Sequence, residues 1–472
     1  MISLSLSWLS EVLNTSPQHT PNGGFTGICT DTRQPVAGTV FLALQGENSD
    51  GHRFLKTAEE KGAVGAVVVE RNAELTIPQW VVPDTLLALG EIAREYRRRF
   101  RLPLIGVTGS VGKTSTKEMI GAMLGAVSPT LISPKNYNNE IGVPQTLLQL
   151  TPEHRVAVLE MGMRGMGQIE YLARIAQPTI GLITQIGVTH IELIGSQEGI
   201  ALAKSELLTQ LPPDGTAILP ITSPYADLLE ERTPQGTHII WYGVTDNENA
   251  NVRALPDSIR FDEGGKPSFI VVIDGADYSV SLNAVGAHNV HNATAALAVA
   301  FALVLDYEEA IAALQLWEGA EGRMTVRDSP LGYRVLDDCY NAAPESMTAS
   351  LATLDRLAWR GRLLTRSGVA ILGDMRELGT FAEEAHIQVG RVVQETQIRL
   401  LVTVGALAEG IAEEARCSEK PLPAFAHFPN SEACAAGILT LLNEEETILV
   451  KGSRAMEMES IVSVLMGKGS EG

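Results

Sequence analysis

The segment TGSVGKTS (108–115) combines glycines, a lysine and hydroxyl side chains in an order that suits phosphate binding. Backbone N–H groups of the glycine turn can wrap a phosphate, and a following helix adds the positive end of its dipole. Lys113 would reach the β- and γ-phosphates, while the hydroxyl of Thr114 or Ser115 would face a metal ion. The spacing G-x-x-G-K-T is shorter than the general motif, but its place between a predicted strand (104–107) and a predicted helix indicates nucleotide binding. The predicted phosphate-binding residues are Gly109, Ser110, Val111, Gly112, Lys113, Thr114 and Ser115.

Glu160 and His190 accompany two further strands predicted in the same sheet. Glu160 lies in VAVLEM (156–161), and His190 comes shortly after IGLITQIG (180–187). Ligands collect at the carboxyl ends of strands in open α/β sheets, where an acidic residue can hold Mg²⁺ directly or through water. A glutamate at a strand end is as often only hydrated, and a lone histidine is usually structural. Beside a phosphate loop, both residues become candidates for a magnesium site.

Several single residues further along the chain have both a structural and a functional interpretation. Lys204 lies on a mainly apolar helix, where a lysine that extends to solvent is the simplest interpretation. Asn289 and Asn292 begin a helix, and one of them is predicted as its N-cap, although the same amides could read an adenine edge. Arg323 suits phosphate charge and Asp338 suits a ribose diol, but each is a weak signal alone.

The elements that must position these residues alternate between strand and helix over most of the chain. This pattern implies parallel pairing and a doubly wound α/β sheet. Residues 238–283 differ, because short strands with little helix indicate an antiparallel addition to the central sheet. From residue 333 the alternation returns as a second α/β unit. With 472 residues, enough for about three domains, we predict domains at 1–84, 85–318 and 319–472.

The composition excludes several classes of protein. The net charge is −20, and the one basic run (97–99) fits the solvent-exposed face of a helix, so we expect no binding to nucleic acid or anionic membranes. The four cysteines form no CxxC pair, which argues against a disulfide framework or a structural zinc site. The N-terminus lacks the pattern of a signal peptide, and no apolar run approaches a membrane span. We expect a cytoplasmic monomer.

A set of motifs in a fixed order extends over nearly the whole chain. The set is TGSVGKTS, NYNNEIGVP, LEMG, THIE, EGIALAKSE, GAHNVHN, EGRM, DDCYNAAPESM, GDMRELG and VKGSR. On these motifs the chain resembles the Mur ligases of peptidoglycan synthesis. The segments at 31–54, 136–144 and 337–347 are most similar to the member that joins a D-alanyl-D-alanine dipeptide to UDP-N-acetylmuramoyl-tripeptide.

The resemblance implies a fold, two cofactors and roles for individual residues. The fold is an N-terminal uridine-nucleotide domain, a central ATP-binding domain and a C-terminal Rossmann-like domain that binds the incoming dipeptide. The implied ATP contacts are Lys113 for the phosphates, Asn292 for adenine, Arg323 for phosphate and Asp338 for ribose. The implied Mg²⁺ site consists of Thr114, Glu160, His190 and Lys204, and the catalytic residues are Lys113, Glu160, His190 and Lys204. The implied substrate contacts are Asp31, Arg33, Gly46, His52, Asn138, Asn139, Asp374 and Arg454.

Lys204 has a specific implied modification. An amine whose pKa is lowered by burial is partly neutral, so it can take up CO₂ and become an anionic carbamate that suits Mg²⁺. Mur ligases generally carry this carbamate at the matching lysine. The alternative is an unmodified lysine that pairs with a substrate phosphate or with Glu206.

The implied reaction makes an amide bond through an acyl phosphate. A carboxylate attacks the γ-phosphate of ATP, and the dipeptide amine then displaces phosphate. Because both first reactants are anions, Lys113 and Mg²⁺ must neutralise charge before they meet. Two alternatives stay open: another amide ligase, such as a different Mur ligase or a folate polyglutamyl ligase, and a phosphate-loop ATPase that switches a macromolecular partner.

Overall fold

Three larger sheets follow one another along the chain, and a two-stranded sheet lies in the N-terminal part. The structure is a computed structural model that describes residues 2–17, 22–46, 49–358, 368–417 and 424–468. Within these ranges no helix has both the length and the apolar character to cross a bilayer. Each of the three larger sheets is largely or wholly parallel and is covered by helices, which confirms the predicted three-part α/β fold. Glu47 and Asn48, in the predicted uridine segment, lie outside the described residues.

The N-terminal sheet is parallel, with the order β3-β4-β5-β6, and a β1-β2 pair lies beside it. Asp84 caps the last helix of this region by accepting hydrogen bonds from the N–H groups of Leu86 and Leu87. The elements are β1 (Leu4–Ser5), α1 (Leu6–Leu13), β2 (Gly24–Phe25), β3 (Ile28–Cys29), β4 (Val40–Leu42), α2 (Leu55–Glu60), β5 (Gly65–Val68), β6 (Gln79–Val81) and α3 (Thr85–Arg97).

The central sheet has the order β14-β15-β13-β12-β11-β10-β7-β9-β8, with β16 paired to β15. Its elements are β7 (Leu104–Thr108), α4 (Lys113–Val127), β8 (Thr130–Ile132), α5 (Gly142–Leu147), β9 (Val156–Glu160), α6 (Gln168–Ala176), β10 (Ile180–Ile183), α7 (Ile191–Ile194), α8 (Gln197–Thr209), β11 (Thr216–Pro220), α9 (Ala226–Glu231), β12 (His238–Val244), β13 (Val252–Ala254), β14 (Arg260–Phe261), β15 (Pro267–Ile273), β16 (Ala276–Ser281), α10 (His288–Ala302) and α11 (Tyr307–Gln315). Strand β7 lies between β9 and β10, so the loops after these three strands meet at one edge.

The antiparallel addition is smaller than the sequence predicts. Strand β12 pairs in parallel with both β11 and β13, so these strands extend the main sheet, whereas β15 pairs antiparallel with β13, β14 and β16. Helix α9 lies between β11 and β12, and a crossover of this kind returns the chain in the same direction. The composition of 238–283 indicates short strands correctly, but it does not carry their direction.

The C-terminal sheet has the order β17-β18-β22-β19-β20-β21, and only the β17–β18 pair among these described strands is antiparallel. Its elements are β17 (Thr325–Asp328), β18 (Arg334–Asp337), α12 (Pro344–Ala358), β19 (Gly368–Gly373), α13 (Ala382–Glu395), β20 (Leu400–Val404), α14 (Glu409–Arg416), β21 (Ala424–Phe428), α15 (Ser431–Gly437), β22 (Thr447–Lys451) and α16 (Glu459–Leu465).

Helix α3 connects the first two sheets physically. It packs against α1 on one side and against α5 and α6 on the other. Arg97 at its end is buried and donates hydrogen bonds to the carbonyl oxygens of Ala176, Phe100 and Leu102. The prediction that the basic run 97–99 faces solvent is therefore wrong for Arg97, because each guanidinium nitrogen finds a carbonyl that offsets its burial. The domain boundaries themselves stay a prediction.

Candidate active site

A cavity of about 1090 Å³ lies where the central sheet meets the C-terminal sheet. Its wall contains most of the residues predicted to bind ATP and metal, together with some of those predicted to bind substrate. The predicted residues that line it are Ser110, Val111, Gly112, Lys113, Thr114, Ser115, Asn138, Asn139, Glu160, His190, Lys204, Asn292, Arg323, Asp338 and Arg454. Gly109 lies in the same loop, behind this wall.

The phosphate loop joins β7 to α4 through a turn that requires glycine. Gly109 and Gly112 have φ angles of 152° and 86°, which L side chains rarely adopt. A Cβ atom at Gly112 would also lie 2.5 Å from Oδ1 of Asn292 on α10. Lys113 begins α4, and its Nζ donates hydrogen bonds to the carbonyl oxygens of Gly109 at 2.8 Å and Ser110 at 3.2 Å. The lysine charge is thus held over the turn.

Glu160 is the centre of a hydrogen-bond network at the end of β9, and its residue surface is only 2% exposed. Its Oε2 accepts a hydrogen bond from Oγ1 of Thr114, and its Oε1 accepts one from Nδ2 of Asn138, both at 2.8 Å. The Nζ atom of Lys117 lies 4.0 Å from Oε2. Sequence reasoning missed Lys117, although its position one helical turn after Lys113 places both lysines on the same face of α4.

Thr114 and Glu160 fit a magnesium ion because they present adjacent oxygen donors. The described residues contain no cluster of three or more His, Cys, Asp and Glu side chains arranged for a metal. Mg²⁺ typically uses one or two protein carboxylates and takes its other ligands from phosphate and water oxygens. His190 has a left-handed φ of 68°, and its Nδ1 lies 2.7 Å from Oε2 of Glu377. Its ring therefore faces the C-terminal sheet.

Lys204 is 1% exposed on α8 and lines the cavity. Burial, and secondly the charge of Lys113, hold the pKa of Lys204 well below its ordinary value. Glu206 does not pair with it, because the carboxylate of Glu206 accepts hydrogen bonds from the backbone N–H groups of Gly167 and Glu170. The alternative of a Lys204–Glu206 ion pair is therefore wrong, and the buried amine is a suitable acceptor for CO₂.

Asn289 and Asn292 lie inside α10 and do not cap it, so the N-cap prediction is wrong. The N-cap is Ala287, which makes no side-chain cap bond. Asn289 donates to the carbonyl oxygen of Val285, and Asn292 donates to Oδ1 of Asn289. Oδ1 of Asn292 accepts a hydrogen bond from Thr116 on α4 at 3.3 Å. The amides thus fix α10 against the helix that carries the phosphate loop.

Arg323 and Asp338 bring the C-terminal sheet to the phosphate loop. Nη2 of Arg323 donates to Oγ1 of Thr114 at 2.9 Å, and its guanidinium carbon lies 4.2 Å from the ring centroid of Tyr340. Asp338 accepts hydrogen bonds from the N–H of Met324 at 3.1 Å and from Nζ of Lys451 at 2.7 Å. Lys451 lies in the VKGSR motif, and sequence reasoning missed its contact with Asp338.

The predicted dipeptide residues Asp374 and Arg454 have different environments. Asp374 has no exposed surface, and its Oδ1 accepts hydrogen bonds from the N–H groups of Leu407 and Ala408. Its Oδ2 lies 3.1 Å from Nη2 of Arg376, which lines the cavity. Arg454 also lines the cavity and pairs with Glu459 at the surface. Asp374 is therefore linked to the cavity wall through Arg376, and its backbone carbonyl accepts a hydrogen bond from the N–H of Ser453, which also lines the cavity.

The predicted uridine contacts lie on the N-terminal sheet, apart from the cavity wall. Arg33 is exposed and forms a two-point ion pair with Asp31, and its hydrogen bonds lower the pKa of Asp31 to about 2. Nε2 of His52 accepts a hydrogen bond from the N–H of Val69. The N–H of Gly46 donates to a carbonyl oxygen in the same turn. The structure thus leaves the uridine role of these residues a prediction.

Three family models match successive parts of the chain. The model of the Mur ligase family catalytic domain matches residues 24–97, that of the Mur ligase middle domain matches 107–300, and that of the Mur ligase glutamate ligase domain matches 322–454. Each range contains all or most of one of the three larger sheets.

Individual proteins are similar over almost the full length. The UDP-N-acetylmuramoyl-tripeptide–D-alanyl-D-alanine ligase of Synechocystis is 40% identical, with 93% of this chain and 92% of the relative covered. The Escherichia coli enzyme of that name is 34% identical and covers 100% of both chains. The crystal structure of MurF from Acinetobacter baumannii covers 99% of this chain and 100% of its own, at 32% identity and a TM-score of 0.89. The chain belongs to the Mur ligase family.

Proposed function

We propose that this protein is an ATP-dependent ligase that joins D-alanyl-D-alanine to UDP-N-acetylmuramoyl-tripeptide in the cytoplasmic stage of peptidoglycan synthesis. The observation that carries the proposal is the cavity in which the phosphate loop, Glu160, Lys204 and Arg323 meet. Relatives at 40% and 34% identity that carry this name support the choice of substrates. We propose that the protein acts as a monomer.

The site is suited to neutralising anions before they react. Backbone N–H groups of the phosphate loop and the amine of Lys113 bind the ATP phosphates, while Arg323 supplies a second positive charge beside Thr114. Mg²⁺ held by Thr114, Glu160, His190 and a carbamate on Lys204 would neutralise phosphate charge and polarise the γ-phosphate. Asn138 keeps the Glu160 carboxylate oriented toward Thr114.

The reaction then proceeds in two steps, formation of an acyl phosphate and its attack by the dipeptide amine. The terminal carboxylate of the tripeptide attacks the γ-phosphorus of ATP, which gives an acyl phosphate and releases ADP. The amine of D-alanyl-D-alanine attacks the acyl carbon, phosphate leaves, and the amine loses a proton as the amide forms. Because water would hydrolyse the acyl phosphate, the site must be closed during this step. The contacts of the C-terminal sheet with the phosphate loop and with the loop after β10 support such closure.

Each sheet has a separate task in this proposal. The N-terminal part (1–84) binds the uridine nucleotide through Asp31, Arg33, Gly46 and His52. The central part (85–318) binds ATP, with Asn292 at adenine. The C-terminal part (319–472) contributes Asp338 to the ribose and presents Arg454 and Arg376 to the dipeptide carboxylate, with Asp374 orienting Arg376.

A ligation assay tests the proposal directly. The purified protein is incubated with ATP, Mg²⁺ and UDP-N-acetylmuramoyl-tripeptide, and with D-Ala-D-Ala, D-Ala or D-Glu, while ADP and the amide product are measured. We expect product only with D-Ala-D-Ala. Product with another amine would indicate a different amide ligase. ADP release that does not depend on small amines but is stimulated by a macromolecule would indicate a regulatory ATPase.

A further inference from the structure

Lys117 is a buried lysine on α4 that the proposed reaction does not use. Its residue surface is 1% exposed. Its Nζ donates hydrogen bonds to the carbonyl oxygens of Ser133 at 2.9 Å and Lys135 at 3.0 Å, and it lies 4.0 Å from Oε2 of Glu160. Burying an ammonium group is costly unless it is hydrogen-bonded and paired. These contacts, together with Oε1 of Glu118 at 4.0 Å, offset the cost of burial, and the two carbonyls and Glu160 connect Lys117 to the surroundings of Glu160.

The segment that Lys117 holds contacts Glu160 at both of its ends. Residues 133–138 lead from β8 toward α5. At the start, Oγ of Ser133 accepts the backbone N–H of Glu160 at 3.1 Å. At the end, Asn138 donates its side-chain amide to Oε1 of Glu160, and its carbonyl oxygen accepts the N–H of Gly162 at 2.8 Å. The carbonyl groups bound by Lys117 lie between these two contacts.

We propose that Lys117 is a positioning residue of the ligation reaction, which fixes segment 133–138 to α4 so that Asn138 directs the Glu160 carboxylate toward Thr114. The ammonium group suits this task because its three N–H donors can bond two carbonyls and still face a carboxylate. Lys117 itself is not among the residues that line the cavity. The inference rests on the proposed function.

A double-mutant cycle with Asn138 tests this role. Lys117→Met should lower kcat about 10–100-fold, the usual cost of losing a group that orients a metal-site ligand. ATP affinity measured in EDTA by calorimetry should stay unchanged, because Lys117 does not contact the phosphate loop. If both residues act through the Glu160 carboxylate, the kcat of the double variant Lys117→Met, Asn138→Ala should be within about twofold of the kcat of the slower single variant.

Lys266 provides the matched control. It is a lysine whose Nζ also donates to an oxygen, Oδ1 of Asn283, but it lies on the antiparallel addition. Lys266→Met should leave kcat near that of the unmodified protein. When it is combined with Asn138→Ala, the fold-losses in kcat of the two single variants should multiply.

Several outcomes would overturn the role of Lys117. Losses that multiply in the Lys117–Asn138 cycle would show that the two residues act separately. An equal loss of metal-free ATP affinity would assign Lys117 to nucleotide binding. If Lys117→Met does not fold, Lys117→Gln replaces it in the cycle, and failure of both to fold would give Lys117 a purely structural role. Absence of ligation by the unmodified protein would instead contradict the proposed function.

Discussion

The carboxylate of Glu160 is oriented by donors from two separate segments, the phosphate-loop helix and the segment after β8. Thr114 binds one oxygen and Asn138 the other, while Lys117 lies 4.0 Å away. Because Glu160 is only 2% exposed, such interactions are stronger than in water, since the local dielectric is low. Since Lys113 and Arg323 also contribute positive charge here, the residues around Glu160 can offset the negative charge of ATP.

Lys113→Ala should lower kcat about 10³-fold or more, because it removes a charge that stabilises the developing γ-phosphate charge. The melting temperature should change little, since the lost hydrogen bonds of Nζ are to the loop that carries it. Ligation rates and thermal denaturation measured on the same preparation check this. Near-normal ligation by the folded variant would falsify the assignment.

Lys204→Ala should lose activity about 10²–10³-fold, as expected for a group that stabilises charge in the transition state. If Lys204 acts as a carbamate, added acetate should restore part of the rate, because a short carboxylate can occupy the vacated place. Rates with acetate and with methylamine at equal ionic strength are the measurement.

Lys113→Ala is the control for the acetate experiment, since its missing charge is positive and acetate should not restore it. Rescue of Lys204→Ala by methylamine, with none by acetate, would assign an unmodified ammonium group to Lys204.

The residues that could be predicted are those whose chemistry is local in sequence. The glycine turn and Lys113 form a contiguous motif, and Glu160 ends a strand. The sequence could not predict that Lys451 contacts Asp338 or that Glu377 contacts His190, because the partners in each pair are distant in the chain. A pattern of residue types indicates which elements form, but the pairing of side chains across elements depends on packing.

At the scale of elements, the close approach of the phosphate loop to α10 is what fixes the position of α4. Gly112 leaves room for Oδ1 of Asn292, which in turn accepts a hydrogen bond from Thr116 on α4. From the sequence, the two asparagines near the start of this helix are predicted to include its N-cap. Their actual hydrogen-bond partners depend on the packing of α10 against α4, which the sequence pattern does not show.

Gly112→Ala should weaken ATP binding about tenfold or more, because a Cβ atom would lie 2.5 Å from Oδ1 of Asn292 and the φ of 86° strains any L side chain. The chain offers a matched control in Gly125, an exposed glycine of the same helix where an added Cβ atom would have no neighbour within 4 Å. Gly125→Ala should leave ATP binding intact and raise the free energy of unfolding by about 0.5–1 kcal/mol. Calorimetric ATP binding and urea denaturation of both variants are the measurements, and equal ATP affinities would contradict the packing argument.

The order of strands could be predicted less well than their existence. Strands β7, β9 and β10 follow from the strand–helix alternation, and so does their common carboxyl edge. The parallel direction of β12 and β13 does not, because short strands of similar composition occur in both kinds of pairing. The direction of β12 depends on the crossover through α9, and that of β13 depends on the path of residues 245–251, which no single strand segment carries.

At the scale of the whole molecule, two contacts join the C-terminal sheet to the loop after β10. Oε1 of Glu345 accepts a hydrogen bond from the N–H of Val188 at 3.1 Å, and Glu377 lies 2.7 Å from the ring of His190. Both carboxylates line the cavity and belong to the C-terminal part of the chain. Small contacts of this kind can shift the balance between domain arrangements, because such arrangements often differ by only a few kcal/mol.

Glu345→Ala should lower the ratio of the closed to the open arrangement about fivefold, which corresponds to the loss of one hydrogen bond worth about 1 kcal/mol. Because acyl-phosphate protection depends on closure, the variant should also release more ADP per amide formed. Small-angle scattering with ATP and both substrates should give a larger radius of gyration than the unmodified protein does. Glu384 is a suitable control, since its carboxylate pairs with Arg391 on the same helix. If Glu384→Ala and Glu345→Ala gave the same scattering and the same ratio of ADP to amide, the contact with Val188 would have no part in closing the site.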